Sequence, residues 1–256
     1  LYGRNAVGGA VNLITAKPKF ENSGYLDLRY TTQTKGKEGQ LVLNASPSDE
    51  WAFRVGIDGV HQNEGFFYNP SNDVYFDRQE GLDYRGQVRY KNDRLDVTLL
   101  GERQNLDVPA ITYRVVIDPG PIFPLGFVQP PYEYDHSTEP FAHQEINAGG
   151  LSIEYDLGWA TLHSNTLIRQ RNAEYTFDAD AITPERALEA YLSGEVIFPL
   201  GGESYVNQRD ETRTITEVAH LTGTLFDDRV VWLGGFEYLT QDSNAFRLTQ
   251  TNQIIN

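Results

Sequence analysis

The chain has 256 residues, with 21 Lys and Arg against 36 Asp and Glu, and it contains no Cys. The net charge of −15 argues against a nucleic-acid partner, because phosphate binding needs clustered basic side chains. The lack of Cys excludes a disulfide scaffold and a cysteine metal site, and it fits an oxidising compartment.

Hydropathy alone does not decide the class of protein. No apolar run approaches the roughly 18 residues that suggest a membrane-spanning helix, and the mean hydropathy is −0.47. A membrane barrel looks equally polar on this scale, since only alternate strand residues face lipid. Residue alternation and loop lengths therefore have to separate a soluble β protein from a barrel.

The first segment, Leu1 to Pro18, reads LYGRNAVGGAVNLITAKP. On physical grounds it predicts a turn, a helical turn and a short strand over residues 10–15, with Gly where the backbone needs freedom. The chain has no Met, and its first residues do not resemble a signal peptide. We therefore expect an internal fragment of a longer protein.

The clearest strand signal lies at Leu82–Tyr90, where apolar residues alternate with Asp83, Arg85, Gln87 and Arg89. Side chains alternate between the two faces of a strand, so one face is apolar and the other polar. The same pattern predicts further strands at Leu26–Tyr30, Leu41–Ala45, Phe53–Asp58, Leu95–Leu99 and Leu151–Tyr155. Less regular strands are predicted at Ala160–Arg171 and Thr212–Leu225, and a last strand at Val230–Thr240.

The predicted connections alternate between short and long. Short turns fall near Asp49, Asp93, Gly158 and Asp228. The intervening connections are a short one near Lys35, longer ones over 63–81, 105–144 and 172–211, and a last one expected to begin near Gln241. Transmembrane barrels place short turns on the periplasmic side and long loops outside. The alternation therefore favours a transmembrane barrel.

Three tryptophans follow the predicted short turns: Trp51, Trp159 and Trp232. All three should lie at one end of the strands, as in the aromatic girdle of a membrane barrel.

One helix is also predicted, inside the connection over 172–211, with Thr183 as the N-cap, Pro184 in the first turn and Gly194 closing the C-terminus. Its role is expected to be packing of that loop.

The N-terminal segment carries a resemblance to a known family. It is similar to the end of the plug domain of TonB-dependent outer-membrane receptors, whose signature is close to Leu-Tyr-Gly-x-x-Ala-x-Gly-Gly-x-x-Asn-x-x-Thr. The plug-motif residues are Leu1, Tyr2, Gly3, Arg4, Ala6, Gly8, Gly9, Asn12 and Thr15, of which all but Arg4 match the signature. Lys17-Pro18 and the immediate start of strands also resemble the plug-to-barrel junction.

The resemblance implies an all-β fold, an antiparallel transmembrane β-barrel. About nine strands of an expected 22-strand plugged barrel would be present, with residues 1–20 as the end of the plug and residues 21–256 as the N-terminal part of the barrel. It implies TonB-dependent transport across the outer membrane of a scarce ligand, typically a ferric siderophore or another metal chelate. The implied partners are TonB, through a segment outside this chain, outer-membrane lipid and the chelate.

Two groups of candidate site residues follow. A charge held away from water needs a counter-charge, so Arg4 could pair with a carboxylate of the barrel, with Glu217 and Glu237 as the first candidates. The alternative is that Arg4 is solvated in the gap between plug and barrel. The candidate ligand-contacting aromatics of the outer loops are Phe66, Phe67, Tyr68, Tyr75, Phe76, Tyr132 and Tyr134. Packing of one loop on another would explain these aromatics equally well.

Metal and catalytic chemistry are not expected. His136, Glu139, His143 and Glu145 are irregularly spaced, which favours solvated loop residues over a metal site. Asp178 and Asp180 lack the rest of a calcium loop, and no Gly-x-Ser-x-Gly or P-loop occurs. We therefore expect no enzyme and no cofactor. A passive porin-like channel and a secreted β-sandwich binding module remain as alternatives.

Overall fold

A computed structural model describes residues 15–75, 77–109, 116–117, 127–128, 131–179, 181–194, 203–227 and 229–252. These residues form thirteen strands and one helix. In chain order the elements are β1 (Ser23–Thr31), β2 (Gly36–Ala45), β3 (Trp51–His61), β4 (Tyr68–Asn69), β5 (Val74–Tyr75), β6 (Glu80–Lys91), β7 (Leu95–Val108), β8 (Val116–Ile117), β9 (Phe127–Val128), β10 (Phe141–Asp156), β11 (Thr161–Asp178), α1 (Pro184–Leu192), β12 (Glu203–Leu225) and β13 (Val230–Asn252).

The long strands of the described residues form one nine-stranded antiparallel sheet, in the order β1-β2-β3-β6-β7-β10-β11-β12-β13. Each long strand pairs with the next one along the chain, which makes the sheet an up-and-down meander. The pairs β4–β5 and β8–β9 are two-residue ladders within connections. The sheet confirms the predicted antiparallel all-β class. A β-sandwich would need a second large sheet, and the described strands do not form one.

Every register in the sheet runs without interruption, so directly opposed residues share a face across all nine strands. One such row joins Phe53, Val88, Leu99 and Leu151. This face, called the apolar face below, consists mainly of Leu26, Leu28, Leu41, Leu43, Phe53, Val55, Ile57, Leu82, Tyr84, Val88, Leu95, Val97, Leu99, Leu151, Ile153, Ile168, Ile215, Leu221, Trp232, Phe236 and Tyr238. Many of these side chains are exposed, up to 72% for Leu28.

The opposite face, called the polar face, carries most of the charge. It is not uniformly polar. Leu100, Leu167 and Leu239 form one apolar row across it, and Val218, Val231 and Leu233 also lie on this face. Its polar members include Asp27, Arg29, Gln40, Arg54, Asp58, Asp83, Arg85, Arg89, Asp96, Glu102, Glu154, His163, Arg169, Arg171, His220 and Glu237. A soluble globular protein buries its apolar face, whereas this sheet leaves it open.

The strands run obliquely to the line of short turns. Ile57 on β3 and Asp242 on β13 lie in the same cross-strand row. The part of β3 between this row and its first residue, Trp51, is half as long as the part of β13 between the row and its first residue, Val230. With a strand rise of about 3.3 Å and a strand spacing of about 4.8 Å, this drift gives a tilt of about 35°. Strands of closed barrels tilt by roughly 35–45°.

The strands extend further than predicted at the end opposite the short turns. β10 and β11 have 16 and 18 residues, and β12 and β13 have 23 each. The long connections therefore cover 109–140 and 179–202 instead of 105–144 and 172–211. A loop beginning near Gln241 is wrong, since β13 continues to Asn252. Alternation between apolar and polar residues fades in these extensions, which is why the sequence pattern did not show them.

Helix α1 begins and ends as predicted. The Thr183 hydroxyl accepts a hydrogen bond from the Arg186 backbone N–H over 3.3 Å, and Gly194 adopts φ +78 after the last turn. Within the described residues no helix is both long and apolar enough to cross a membrane.

Candidate functional site

The loop end of the sheet, opposite the short turns, carries a group of tied connections that we call the loop cluster. It consists of residues 62–75, 77–79, 131–140, 179 and 181–183. Tyr68 donates its backbone N–H to the carbonyl oxygen of Tyr132, and Tyr134 donates its own to Tyr68, both over 3.0 Å. Two connections far apart in sequence are thereby joined through their backbones.

Buried polar side chains hold the cluster. The Asn69 amide, which is fully buried, donates to the His136 carbonyl oxygen over 2.8 Å. The Asp178 carboxylate, also fully buried, accepts from the backbone N–H groups of Ser137, Thr138 and Ala181 over 2.8, 3.1 and 2.7 Å. A carboxylate is stable in such a place because several donors replace its lost hydration.

A second carboxylate connects all three parts of the cluster. Asp135 accepts hydrogen bonds from the hydroxyls of Ser71 and Thr183, the latter over 3.1 Å. Thr183 is also the N-cap of α1, so the helix is positioned by the same contact. The cluster is thus a pre-formed surface.

A third carboxylate, that of Asp77, holds the conformation of the connection between β3 and β6. Asp77 accepts the backbone N–H groups of Phe66 and Phe67 over 2.8 and 2.9 Å. A Cβ at Gly65 would lie 1.7 Å from the Asp77 Oδ1, so Asp77 can reach these amides only because residue 65 is Gly.

The predicted loop aromatics divide into two sets. Phe67 packs edge-on against Tyr134 at 5.0 Å between centroids, and Tyr68 packs against Tyr75 at 5.3 Å. Phe66 and Tyr132 are 52% and 67% exposed, and the Tyr132 ring also stacks on Phe67 at 6.2 Å between centroids. The first set holds the loops together, while Phe66 and Tyr132 present ring surface to solvent. Phe76 lies outside the described residues.

The four His and Glu residues in and next to the connection between β7 and β10 do not form one site; they are His136, Glu139, His143 and Glu145. His136 is fully buried, so the expectation that it is solvated is wrong; its ring lies edge-on to Tyr134. Glu139 pairs with Arg78 over 3.3 Å, and His143 pairs with Asp107 over 2.5 Å. Among the described residues no group of three His, Asp or Glu side chains could hold a metal ion.

The polar face binds the start of the described chain near the turn end. Arg89 forms a two-point pair with Asp96, over 2.8 and 2.5 Å. The same guanidinium donates to the Pro18 carbonyl oxygen over 3.1 Å and lies 5.1 Å from the centre of the Phe20 ring. Residues 15–22 therefore lie against the polar face. Sequence reasoning missed this contact, although the tight β6–β7 turn brings Arg89 and Asp96 close.

Next to this segment lies an open pocket of about 320 Å³ on the polar face. Asp58 and Asp83 oppose each other there on neighbouring strands, and Arg85 pairs with Glu102 over 2.5 Å. Ala16 contributes to its wall, so the segment 15–22 partly covers it. The arrangement provides charged groups of both signs to whatever continues from residue 15 toward the N-terminus.

The two candidate partners of Arg4 lie on opposite faces. Glu217 is on the apolar face, where the hydroxyls of Ser164 (2.7 Å) and Thr166 donate to its carboxylate. Glu237 is on the polar face, opposite Val218. At most one of them can face a plug. Arg4 lies outside the described residues, and so do the other plug-motif residues from Leu1 to Asn12. Residues 10–14 of the predicted short strand also lie outside them. Thr15 is described and belongs to no strand or helix.

The three tryptophans lie at the turn end. Trp51 begins β3 and packs against Tyr90 at 5.0 Å between ring centroids. Trp159, in the β10–β11 turn, stacks on Trp232 at 6.1 Å. Their common end agrees with the predicted placement, and their role as a membrane girdle stays a prediction.

Comparison with solved structures decides the fold. The chain is similar to the ferric yersiniabactin uptake receptor FyuA of Yersinia pestis, with a TM-score of 0.73 over 98% of this chain at 14% identity. The sheet has the fold of a piece of that receptor's barrel. The chain spans 35% of FyuA. No family model and no curated protein matches the sequence. The likeness is to a transport receptor and not to an enzyme.

Proposed function

We propose that this chain is part of a TonB-dependent receptor in the outer membrane of a Gram-negative bacterium. The receptor would import a scarce ligand, a ferric siderophore or another metal chelate. Residues 1–20 would be the end of its plug and residues 21–256 the N-terminal part of a 22-strand barrel. The observation that carries the proposal is the two-faced sheet, whose polar face binds residues 15–22.

The two faces fit a barrel that encloses a plug. The apolar face suits contact with lipid, and a polar face suits a lumen filled by protein and water. In a plugged barrel the junction between plug and barrel must lie on the lumenal side. The contact between Arg89 and Pro18 holds residues 15–22 against the polar face, which supports this arrangement. A passive channel would not need such a segment held against its lumenal wall.

The loop cluster fits the outer side of such a receptor. It lies at the end opposite the short turns and the three tryptophans, which would form the girdle at the periplasmic interface. The cluster is pre-formed by Asp178 and Asp135, so little ordering entropy would be lost on binding. Phe66 and Tyr132 offer aromatic surface to a chelate with apolar or aromatic parts.

The fold likeness to FyuA favours a ferric chelate as the first ligand to test. FyuA is a ferric yersiniabactin uptake receptor, and this chain has the fold of part of its barrel. Transport by this class draws on TonB and the inner-membrane proton gradient, with the plug as the moving part. The energised step therefore separates the proposal from the porin-like alternative.

The decisive experiment compares uptake in hosts with and without TonB. The complete receptor is expressed in a Gram-negative host that lacks its own chelate receptors, and accumulation of ⁵⁵Fe is measured with a panel of ferric chelates beginning with ferric yersiniabactin. We expect accumulation of one chelate only where TonB is present, with surface binding in the cold in both hosts. Equal uptake without TonB would show a passive channel, and no binding of any chelate would reject the ligand class.

A further inference from the structure

One carboxylate lies on the apolar face without a counter-charge. Glu217 on β12 accepts hydrogen bonds from the hydroxyls of Ser164, over 2.7 Å, and Thr166. Within the part of the chain that the structure describes no cation pairs with Glu217, and its neighbour on β13 is Tyr238. The two hydroxyls use part of the hydrogen-bonding capacity of a carboxylate but leave its charge. A charge on a lipid-facing surface is unfavourable unless a partner meets it there.

Arg103 on β7 lies at nearly the same height above the turns as Glu217. Each is eight residues from the turn end of its strand, counted from Leu95 and from Leu225. With a tilt of about 35°, both lie about 22 Å above the turns, toward the outer edge of a membrane-spanning band. β10 and β11 separate them, so their backbones are about 19 Å apart along the sheet and the two side chains cannot pair within one copy.

The Arg103 guanidinium can bind a second carboxylate. Its side chain is 59% exposed and lies 3.7 Å from Glu145, which is a long and solvent-screened ion pair. A guanidinium group carries five N–H donors, so this contact leaves most of them open.

Midway between these charges the apolar face has a projection beside a depression. Gly149 on β10 directly opposes Ile168 on β11, whose side chain is 45% exposed. A Cβ added at Gly149 would meet only the Leu100 carbonyl oxygen, at 3.9 Å, and one added at the neighbouring Gly101 would meet nothing within 4 Å. Glycine weakens a strand and often marks a place where another backbone approaches closely.

These features complement themselves about a two-fold axis that runs along the membrane normal between Gly149 and Ile168. Such an axis places Arg103 of each copy opposite Glu217 of the other, and Ile168 of each copy over Gly149 of the other. From this we infer that two copies of the receptor associate through the apolar face of β7, β10, β11 and β12. The inference rests on the proposed membrane location, because copies in one membrane share one orientation.

The curvature of a barrel is compatible with this pairing. A 22-strand barrel has a radius of about 20 Å, so two surfaces that touch at the axis separate by about 5 Å more at the charged residues. Gly149 keeps the central contact close, and the long Arg103 side chain covers the remaining distance to Glu217. Farther from the turns Glu211 also lies near the axis, but it is exposed to water, where salt screens the repulsion between copies.

The association should depend on the density of receptors in the membrane. In a monomer the same side chains contact lipid, and only the charge of Glu217 stays unpaired. Raising the protein-to-lipid ratio should therefore shift the receptor from monomer to dimer.

The test uses the complete receptor, reconstituted in phospholipid vesicles with donor and acceptor dyes on an affinity tag. Energy transfer between copies is measured as the protein-to-lipid ratio is raised. We expect R103E and E217R each to weaken association by about tenfold or more, because each change removes both ion pairs of a symmetric dimer. The double variant R103E/E217R exchanges the charges and should restore association.

Two further variants separate the contacts. G149L fills the depression that receives Ile168, so it should weaken association with all charges in place. The matched control for charge reversal is R169E, because Arg169 is also exposed on β11 but lies on the polar face. R169E should associate as the unchanged receptor does. Heat-modifiable migration on SDS gels checks that each variant is folded.

Three outcomes would overturn the inference. They are a receptor that stays monomeric as its density rises, association that neither charge reversal weakens, and association that R103E/E217R fails to restore. Lack of association with intact TonB-dependent uptake rejects this inference alone. Loss of TonB dependence with intact association rejects the proposed transport alone.

Discussion

Arg89 donates to the Pro18 carbonyl oxygen over 3.1 Å while Asp96 holds its guanidinium at two points. The Arg89 and Asp96 side chains are only 16% and 11% exposed. This ion pair on β6 and β7 thus helps to hold residues 15–22 against the polar face, together with the hydrogen bond that the Ser46 backbone N–H donates to the Asn22 Oδ1 over 2.9 Å. Any domain that precedes residue 15 is therefore connected to the sheet on that face.

Replacing Arg89 should release this segment. R89Q leaves Asp96 as a largely buried carboxylate without its counter-charge, which costs about 3 kcal/mol when a buried pair loses one partner. We expect faster hydrogen exchange over residues 15–22 in the intact receptor. R85Q is the control, because Arg85 pairs with Glu102 on the same face and no contact joins it to residues 17–22. Equal loss of protection in both variants would contradict a specific role for Arg89.

Arg4 should couple to Glu237 and not to Glu217. The two carboxylates lie on opposite faces, and the segment leading toward Arg4 lies on the face of Glu237. In double-mutant cycles read by exchange protection of the plug, R4Q and E237Q should be non-additive by about 1 kcal/mol. R4Q and E217Q should be additive. Additivity in both cycles would leave Arg4 solvated, and coupling to Glu217 would contradict the assignment of the faces.

Asp178 should control the loop cluster without affecting the sheet. D178A removes the acceptor of three backbone N–H groups, so we expect local opening of residues 131–140 to become easier by about 3 kcal/mol. Limited proteolysis should cut there first, while the thermal unfolding of the barrel stays unchanged. D93A, in an exposed turn at the other end, serves as the control. Unchanged proteolysis of D178A would show that the cluster is held by other contacts.

The loop aromatics should separate into ligand contacts and packing contacts. F66A and Y132A remove exposed rings, so both should weaken chelate binding by about tenfold. Loop protection should stay unchanged in F66A, whereas Y132A also removes the ring that stacks on Phe67 and should loosen the loops somewhat. F67A removes a ring that packs on Tyr134, so it should first loosen the loops. Binding of the ferric chelate identified by the uptake assay, measured beside hydrogen exchange, distinguishes the two classes. Wild-type affinity in both exposed-ring variants would reject Phe66 and Tyr132 as ligand contacts.

Alternation predicted the strand centres because one face of each strand is apolar there, as at Leu82–Tyr90. It could not predict the extensions of β10 to β13, because both faces of the strands are polar there. Glu174 and Arg209 lie on one face, and Arg171 and Asp210 lie on the other. Polar alternation carries no period-2 signal. Those residues look like loop in the sequence, yet they continue the ladder.

The loop cluster was beyond prediction for a different reason. Asn69 and His136 are 67 positions apart, and Asp178 binds residues about 40 positions away. The sequence shows that these polar residues occur in connections, where most are solvated, and nothing local marks them as partners. The same holds for Glu217, whose face depends on the register of the whole sheet.

The central claim, that the apolar face contacts lipid and the polar face a lumen, is tested most directly by residue-by-residue accessibility. This chain has no Cys, so single cysteines along β10 can each carry a spin label in the receptor reconstituted in lipid bilayers. Collisions with oxygen, which concentrates in lipid, should peak at Leu151 and Ile153, and collisions with a water-soluble nickel chelate should peak at Ser152 and Glu154. Access of the nickel chelate to all four positions, without a period of two, would contradict the account.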